Sequence, residues 1–184
     1  MTITSLQLLA HFLNLYPQEG RIADYGGTSA IGAQIVKKML TLNFVTVAKD
    51  ESVKGFGVLV NGTPGKAKTE YTVLDYDNGV DLMKPIKGKK FDGGISMDLL
   101  EHTENPFIIA KNISDSLKKG AFLFVTVPWI WEVHEYPKDY WRFAPQGLEQ
   151  LFPKMECITI ETIRDQSDEE EVPRARLVGI FKKK

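Results

Sequence analysis

Ala121 to Val127 reads AFLFVTV, a run in which one hydroxyl interrupts otherwise apolar side chains. A strand with no polar face cannot turn either side to water, so it belongs in a parallel sheet covered on both faces. The flanking segments alternate as such a sheet requires. Leu6, Leu9, Ala10 and Leu13 fall at helical spacing, which predicts an amphipathic helix over 4–16, stopped by Pro17 and Gly20. Arg21 to Tyr25 is a short strand, Gly26-Gly27 a sharp turn, and Ser29 the cap of a helix running through Ile35, Val36 and Met39. Further strands are predicted at Asn43–Ala48, Glu70–Tyr76 and Phe91–Met97. A helix over 105–118 ends on Lys118-Lys119-Gly120, with basic residues and then a glycine at its C-terminus. After the apolar strand come a Trp- and Tyr-rich loop, a short helix at Pro145–Phe152, and strands at Met155–Ile163 and Ala175–Phe181. The acidic Gln166–Val172 between these last two is too short and polar for a packed helix, so they form an antiparallel pair at one sheet edge. Residues 51–69 hold four of the fifteen glycines and read as a loop or hairpin excursion. The sum is one domain over 1–184, an α/β fold with a doubly wound, mostly parallel sheet of seven strands and an antiparallel finish.

Charge and composition narrow the partners. A net charge of −1 and a pI near 6.3 provide no broad basic face, which argues against nucleic acid. Apolar runs fall short of the roughly 20 residues that span a bilayer. No basic stretch precedes the first apolar segment, so no cleaved signal is expected. The single cysteine, Cys157, rules out an internal disulfide and a cysteine-rich zinc site, and fits a reducing compartment. A cytoplasmic protein without a metal, acting on a small molecule, is the expectation.

In an open α/β sheet, ligands bind outside the carboxyl ends of the strands. Asp24-Tyr25-Gly26-Gly27 ends the first strand and precedes a helix N-terminus. Asp50 and Asp75 end later strands, and Asp98 and Glu101-His102 follow the strand closing at Met97. Glycine lets the backbone approach a ligand closely, and a strand-end carboxylate can accept ribose hydroxyls. A tight turn chosen only for packing is the competing account of the glycines. Trp129, Trp131 and Trp141 could wall a pocket or fill the core beneath a loop. His134 and Asp139 have the residue types of a general base, and His102 is better suited to orienting a neighbouring loop.

Taken together, these segments resemble class I S-adenosylmethionine-dependent methyltransferases. Residues 91–102 with Asn105-Pro106 resemble that family's fourth-strand segment, and 117–128 its fifth strand and preceding glycine turn. Residues 133–148 are similar to a loop and helix in a subgroup of small methyltransferases. The resemblance implies a Rossmann-like fold and S-adenosylmethionine as cofactor. Asp24, Gly26 and Gly27 would lie by its methionine part, and Asp98 and Leu99 beneath it. Asp50 would take the ribose and Asp75 the adenine side; a second alignment makes Glu70–Asp75 the second strand and places Asp75 on the ribose. His134 or Asp139 would accept a proton from the acceptor. Where the family turn places its second and third glycines, this chain has Thr28 and Ala30.

Two other readings stand beside this one. Gly26 to Gly32 also looks like the nucleotide turn of short-chain dehydrogenases, but no tyrosine is followed four residues later by the lysine that family needs. A methyltransferase-like fold kept as a binding or partner subunit, without activity, is the other.

Overall fold

The computed structural model describes residues 3–16, 19–26, 30–49, 58–64, 69–134, 138–164 and 174–184. Helix α1 (Ile3–Leu15) leads into β1 (Gly20–Tyr25), α2 (Ala30–Leu40), and a hairpin of β2 (Leu42–Lys49) and β3 (Val58–Pro64). Then follow β4 (Thr69–Leu74), β5 (Phe91–Met97), a 3₁₀ turn at Leu100–His102, and α3 (Pro106–Ser116). The chain ends with β6 (Leu117–Ile130), α4 (Pro145–Leu151), β7 (Met155–Arg164) and β8 (Ala175–Lys183). No helix among the described residues is long and apolar enough to cross a membrane.

Among the described residues the main sheet has six strands, in the order β4-β1-β5-β6-β8-β7, where seven are expected from the sequence. β4, β1, β5 and β6 run parallel, and β8 is antiparallel to both β6 and β7. The antiparallel finish therefore has the predicted form, whereas the predicted second strand lies elsewhere. β2 pairs antiparallel with β3 in a sheet of its own. The side chain of Asn14 on α1 supplies one reason. Its amide donates to Val45 O at 2.9 Å and its carbonyl accepts from Val45 N at 2.7 Å, where the β2–β3 register shifts. Both backbone groups of Val45 are thus satisfied by a helix instead of a further strand. β4 takes the place beside β1, with Tyr25 opposite Leu74.

The two faces of the sheet carry two cores. On one, Tyr25, Leu123, Val125 and Phe181 pack with Ile109 and Ile113 of α3 and Leu148 of α4. On the other, Ile22, Ile95 and Phe124 pack with Leu6, Leu9 and Phe12 of α1, Val36 and Met39 of α2, and Val45 and Val60 of the hairpin. Each fully buried Leu or Phe contributes about 1.5–3 kcal/mol, which is why the apolar β6 needs cover on both sides. Asn105 accepts from Ile108 N at 3.2 Å and Pro106 opens the first turn, so α3 starts where the residue before it changes direction. Gly94 is required because a Cβ there would stand 2.8 Å from the Tyr25 ring, whose hydroxyl bonds Ser116 Oγ at 2.6 Å. The bulge between Phe91 and Gly93 absorbs Lys118-Lys119-Gly120, where Gly120 takes a φ of +83°.

Candidate functional site

β1 and β4 end side by side, and their terminal acids meet there. Asp24 is 1% exposed and accepts a hydrogen bond from the Tyr71 hydroxyl. Burial raises its carboxyl to about 7; the Tyr71 bond opposes that rise and nearby Asp75 adds to it. Tyr71 is pushed upward in turn, by burial first and by the Asp24 charge second. Asp75 is half-buried and caps the turn after β4, accepting Asn78 N at 2.8 Å. Gly26 N–H donates to Leu74 O at 2.9 Å, tying the turn to β4. Its φ of +84° suits glycine, and a Cβ would stand 2.5 Å from Leu99 Cδ1. Packing against Leu99 therefore accounts for the glycine by itself, and brings Leu99 onto the turn. Gly27 and Asp50 lie outside the described residues. The strand preceding Asp50 belongs to the separate hairpin, so the arrangement follows the alignment in which Glu70–Asp75 is the sheet's second strand.

Asp98 is engaged by side chains of β6 and β8. Its φ of 50° turns the carboxylate toward Thr126 Oγ1, at 2.8 Å, and toward Arg176 Nη1, 2.9 Å from both oxygens. Arg176 is 1% exposed, bonds Ser5 Oγ at 2.7 Å and lies 4.9 Å over the Trp131 ring. A buried guanidinium needs a buried anion, and Asp98 supplies it.

The loop after β6 returns to the same end of the sheet. Arg142 clamps both oxygens of Asp139 at 2.6 Å and bonds the carbonyls of Trp131, Glu132 and Trp141. Asp139 also accepts His134 N at 2.8 Å, and its carboxyl is lowered to about 2, chiefly by Arg142. So low a value makes Asp139 a poor proton acceptor and a good anchor. His134 Nδ1 hydrogen-bonds Glu132 O at 3.4 Å, with Asp139 Oδ2 alongside at 3.1 Å; a carbonyl only accepts, which leaves Nε2 as the lone-pair nitrogen of a half-exposed ring. His102 orients the loop as expected, its Nδ1 2.7 Å from Lys138 O, and its ring stands edge-on to His134 with centroids 5.0 Å apart. Tyr140 N donates to Glu101 O, and Trp141 Nε1 to Thr103 O at 2.9 Å. Trp131 braces Arg174 and Arg176, Trp141 stacks on Phe143, and Trp129 packs on the core, so the tryptophans chiefly hold the loop.

Tyr71 and Arg176 are not among the predicted site residues, and Glu101 is marked in the sequence only by its place after β5. Tyr71 sits diagonally across the β1–β4 register from Asp24, which becomes apparent only once β4 is known to flank β1. Glu101 is fully buried, and its carboxyl is pushed well above the usual range by burial and then by Asp98. An apolar cavity of about 300 Å³ beside α1, lined by Leu8, Phe12, Tyr16, Ile158 and Ile180, includes none of the site residues.

No family model matches the chain, and no curated protein matches it. Solved structures do match over almost its full length. The N-methyltransferase NodS from Bradyrhizobium japonicum WM9 superposes with a TM-score of 0.62 at 12% identity, covering 98% of this chain and 95% of that one. TehB from Haemophilus influenzae gives 0.61 at 10% identity, covering 96% of this chain, which spans 61% of TehB. Phosphoethanolamine N-methyltransferase 2 from Haemonchus contortus, in complex with S-adenosylhomocysteine and phosphomonomethylethanolamine, gives 0.58 at 12% identity, covering 97% of this chain and 52% of that one. The interposed antiparallel β8 also departs from the all-parallel order that the dehydrogenase reading needs. The chain has the fold of the class I S-adenosylmethionine-dependent methyltransferases.

Proposed function

We propose that the chain is an S-adenosylmethionine-dependent methyltransferase acting on a small-molecule acceptor. The observation that carries this reading is the pair of acids ending adjacent parallel strands, Asp24 and Asp75, beside the left-handed Gly26 turn that leads to α2. A cationic ligand fits there: Asp24 is buried and held near neutrality, and a positive amine or sulfonium beside it would favour its ionised form. The Asp24–Gly27 turn holds the methionine part, Asp75 the ribose, and Leu99 the apolar floor on Gly26. Asp50 drops out of this assignment because its strand lies outside the main sheet, and Asp98 acts as the counterion of Arg176. When bound, the cofactor supplies an activated methyl group, so the protein's task is chiefly to align it with the acceptor. His134 faces the acceptor through Nε2 and takes its proton, while Glu132 O fixes the ring's tautomer and Asp139, held by Arg142, fixes its backbone.

A partner-subunit reading draws on one observation, that Leu99 packing already explains Gly26. Calorimetry with S-adenosylmethionine and S-adenosylhomocysteine separates the two. Saturable binding lost in Asp24→Ala supports the enzyme; no binding at millimolar ligand rejects it in favour of the subunit. Release of S-adenosylhomocysteine across a panel of small hydroxyl and amine compounds then identifies the acceptor class.

A further inference from the structure

Glu101 has no use in the methyl-transfer reading, yet it is 0% exposed and neither carboxylate oxygen has a hydrogen-bond partner among the described residues. Buried charges are held by a cation, a metal or a proton. What surrounds Glu101 discriminates among these. His102, next to it in the 3₁₀ turn, places Nε2 at 3.7 Å from Oε1. Its Nδ1 lies 2.7 Å from Lys138 O; a carbonyl can only accept, so Nδ1 carries the proton and Nε2 the lone pair. His134 repeats the arrangement, because its Nδ1 hydrogen-bonds the carbonyl of Glu132 at 3.4 Å, with Asp139 Oδ2 alongside at 3.1 Å, so Nδ1 carries the proton and Nε2 the lone pair. Two imidazoles, each oriented through the far nitrogen by a backbone carbonyl, are the arrangement that surrounds protein-bound metals. One ligand atom from each of Glu101, His102 and His134 lies within 4.8 Å of the others.

We infer that Glu101, His102 and His134 form a binding site for a divalent transition metal of the zinc type. Two histidines and one carboxylate suit such an ion, at about 2.0–2.2 Å per ligand. Ligands around a tetrahedral zinc stand about 3.4 Å apart, so closure requires a shift of roughly 1–1.5 Å. The His134 side chain, 39% exposed, has the freedom to make that shift. The same exposure leaves a fourth position open to solvent, as in catalytic sites and unlike closed structural ones. The site shares His134 with the proposed function: if methyl transfer also holds, metal loading turns His134 from base into ligand.

The test uses untagged full-length protein, stripped by chelator and titrated with Zn²⁺ against a chromophoric competitor, and with Co²⁺ followed by its visible ligand-field bands. No cofactor is added, so failure of the methyltransferase reading leaves the result untouched. One equivalent per chain is expected, with four- or five-coordinate Co²⁺ bands. Binding should weaken at least 100-fold in His102→Ala and His134→Ala, and less in Asp139→Asn, which removes a charge 3.1 Å from His134 Nδ1 but no ligand atom. Circular dichroism confirms folding of each variant, and the partly exposed His134→Ala keeps the test valid if Glu101→Gln does not fold. No saturable binding, or binding and bands unchanged in folded His134→Ala, would overturn the inference.

Discussion

Asp24 and Asp139 both turn their carboxylates away from solvent, but Asp24 is buried as a whole residue in the sheet while Asp139 sits on a half-buried loop, and they are driven in opposite directions. At the β1–β4 end, Asp24 has a phenol and a second acid for neighbours, and its carboxyl rises to about 7. In the loop after β6, Asp139 has a two-pronged guanidinium and a backbone amide, and its carboxyl falls to about 2. Burial dominates at Asp24, where chiefly a phenol opposes it; at Asp139 the Arg142 guanidinium outweighs a smaller burial. Asp139 is completed by its own chain and serves as a fixed support. Among the described residues Asp24 has no cation beside it, which suits a site for a positively charged ligand.

The contrast breaks most sharply at His134, the group that the loop's rigid support presents. His134→Ala should lower turnover about 10²–10⁴-fold while leaving cofactor affinity near that of the parent. S-adenosylhomocysteine release with an identified acceptor measures it, and unaltered turnover would reduce the whole loop to scaffolding. Arg142→Ala strands the buried Asp139 charge and frees three carbonyls, so it should cost about 3–5 kcal/mol in urea unfolding. A loss below about 1 kcal/mol would mean that solvent, not Arg142, compensates Asp139.

The pH dependence tests the other end. Asp24 ionises near pH 7 in the folded chain and near 3.9 in the unfolded one, so between these values the folded state retains a proton that the unfolded state has released. Its contribution is fully present below about pH 3.9 and is lost as pH rises to about 7, a change on the order of 2–4 kcal/mol. Asp24→Asn should flatten that decline; identical parent and variant profiles would show that Asp24 is ionised throughout. Asp139 has the reverse sign, its contribution present above about pH 3.9 and lost as pH falls toward 2. The smallest effect distinguishes the two strand-end acids. Asp75→Ala should weaken S-adenosylmethionine binding by about 1–3 kcal/mol, and Asp50→Ala should leave the calorimetric affinity unchanged. The opposite ranking would restore the ribose to Asp50 and undo the β4 assignment.

Local signals were strong wherever residues had to satisfy their own backbone or expose one face. The apolar run of β6, the Asn105-Pro106 start of α3, the glycine turn after β1 and the closing antiparallel strands were all legible, because period and capping are read from neighbours in the chain. Even the strand at Asn43–Ala48 was legible as a strand. Its partner was not, since pairing depends on which distant groups reach its amides, and Asn14 on α1 reached Val45 first. The same limit governs the site. Residue type alone marked Asp24, Asp75, His134 and Asp139 as candidates. Only tertiary structure decided that Asp139 is neutralised by Arg142, that Asp98 serves a buried arginine, and that Glu101 converges with two histidines far apart in the chain. A side chain's chemistry belongs to its sequence; its charge state and partners are set by what folding brings within a few ångströms of it.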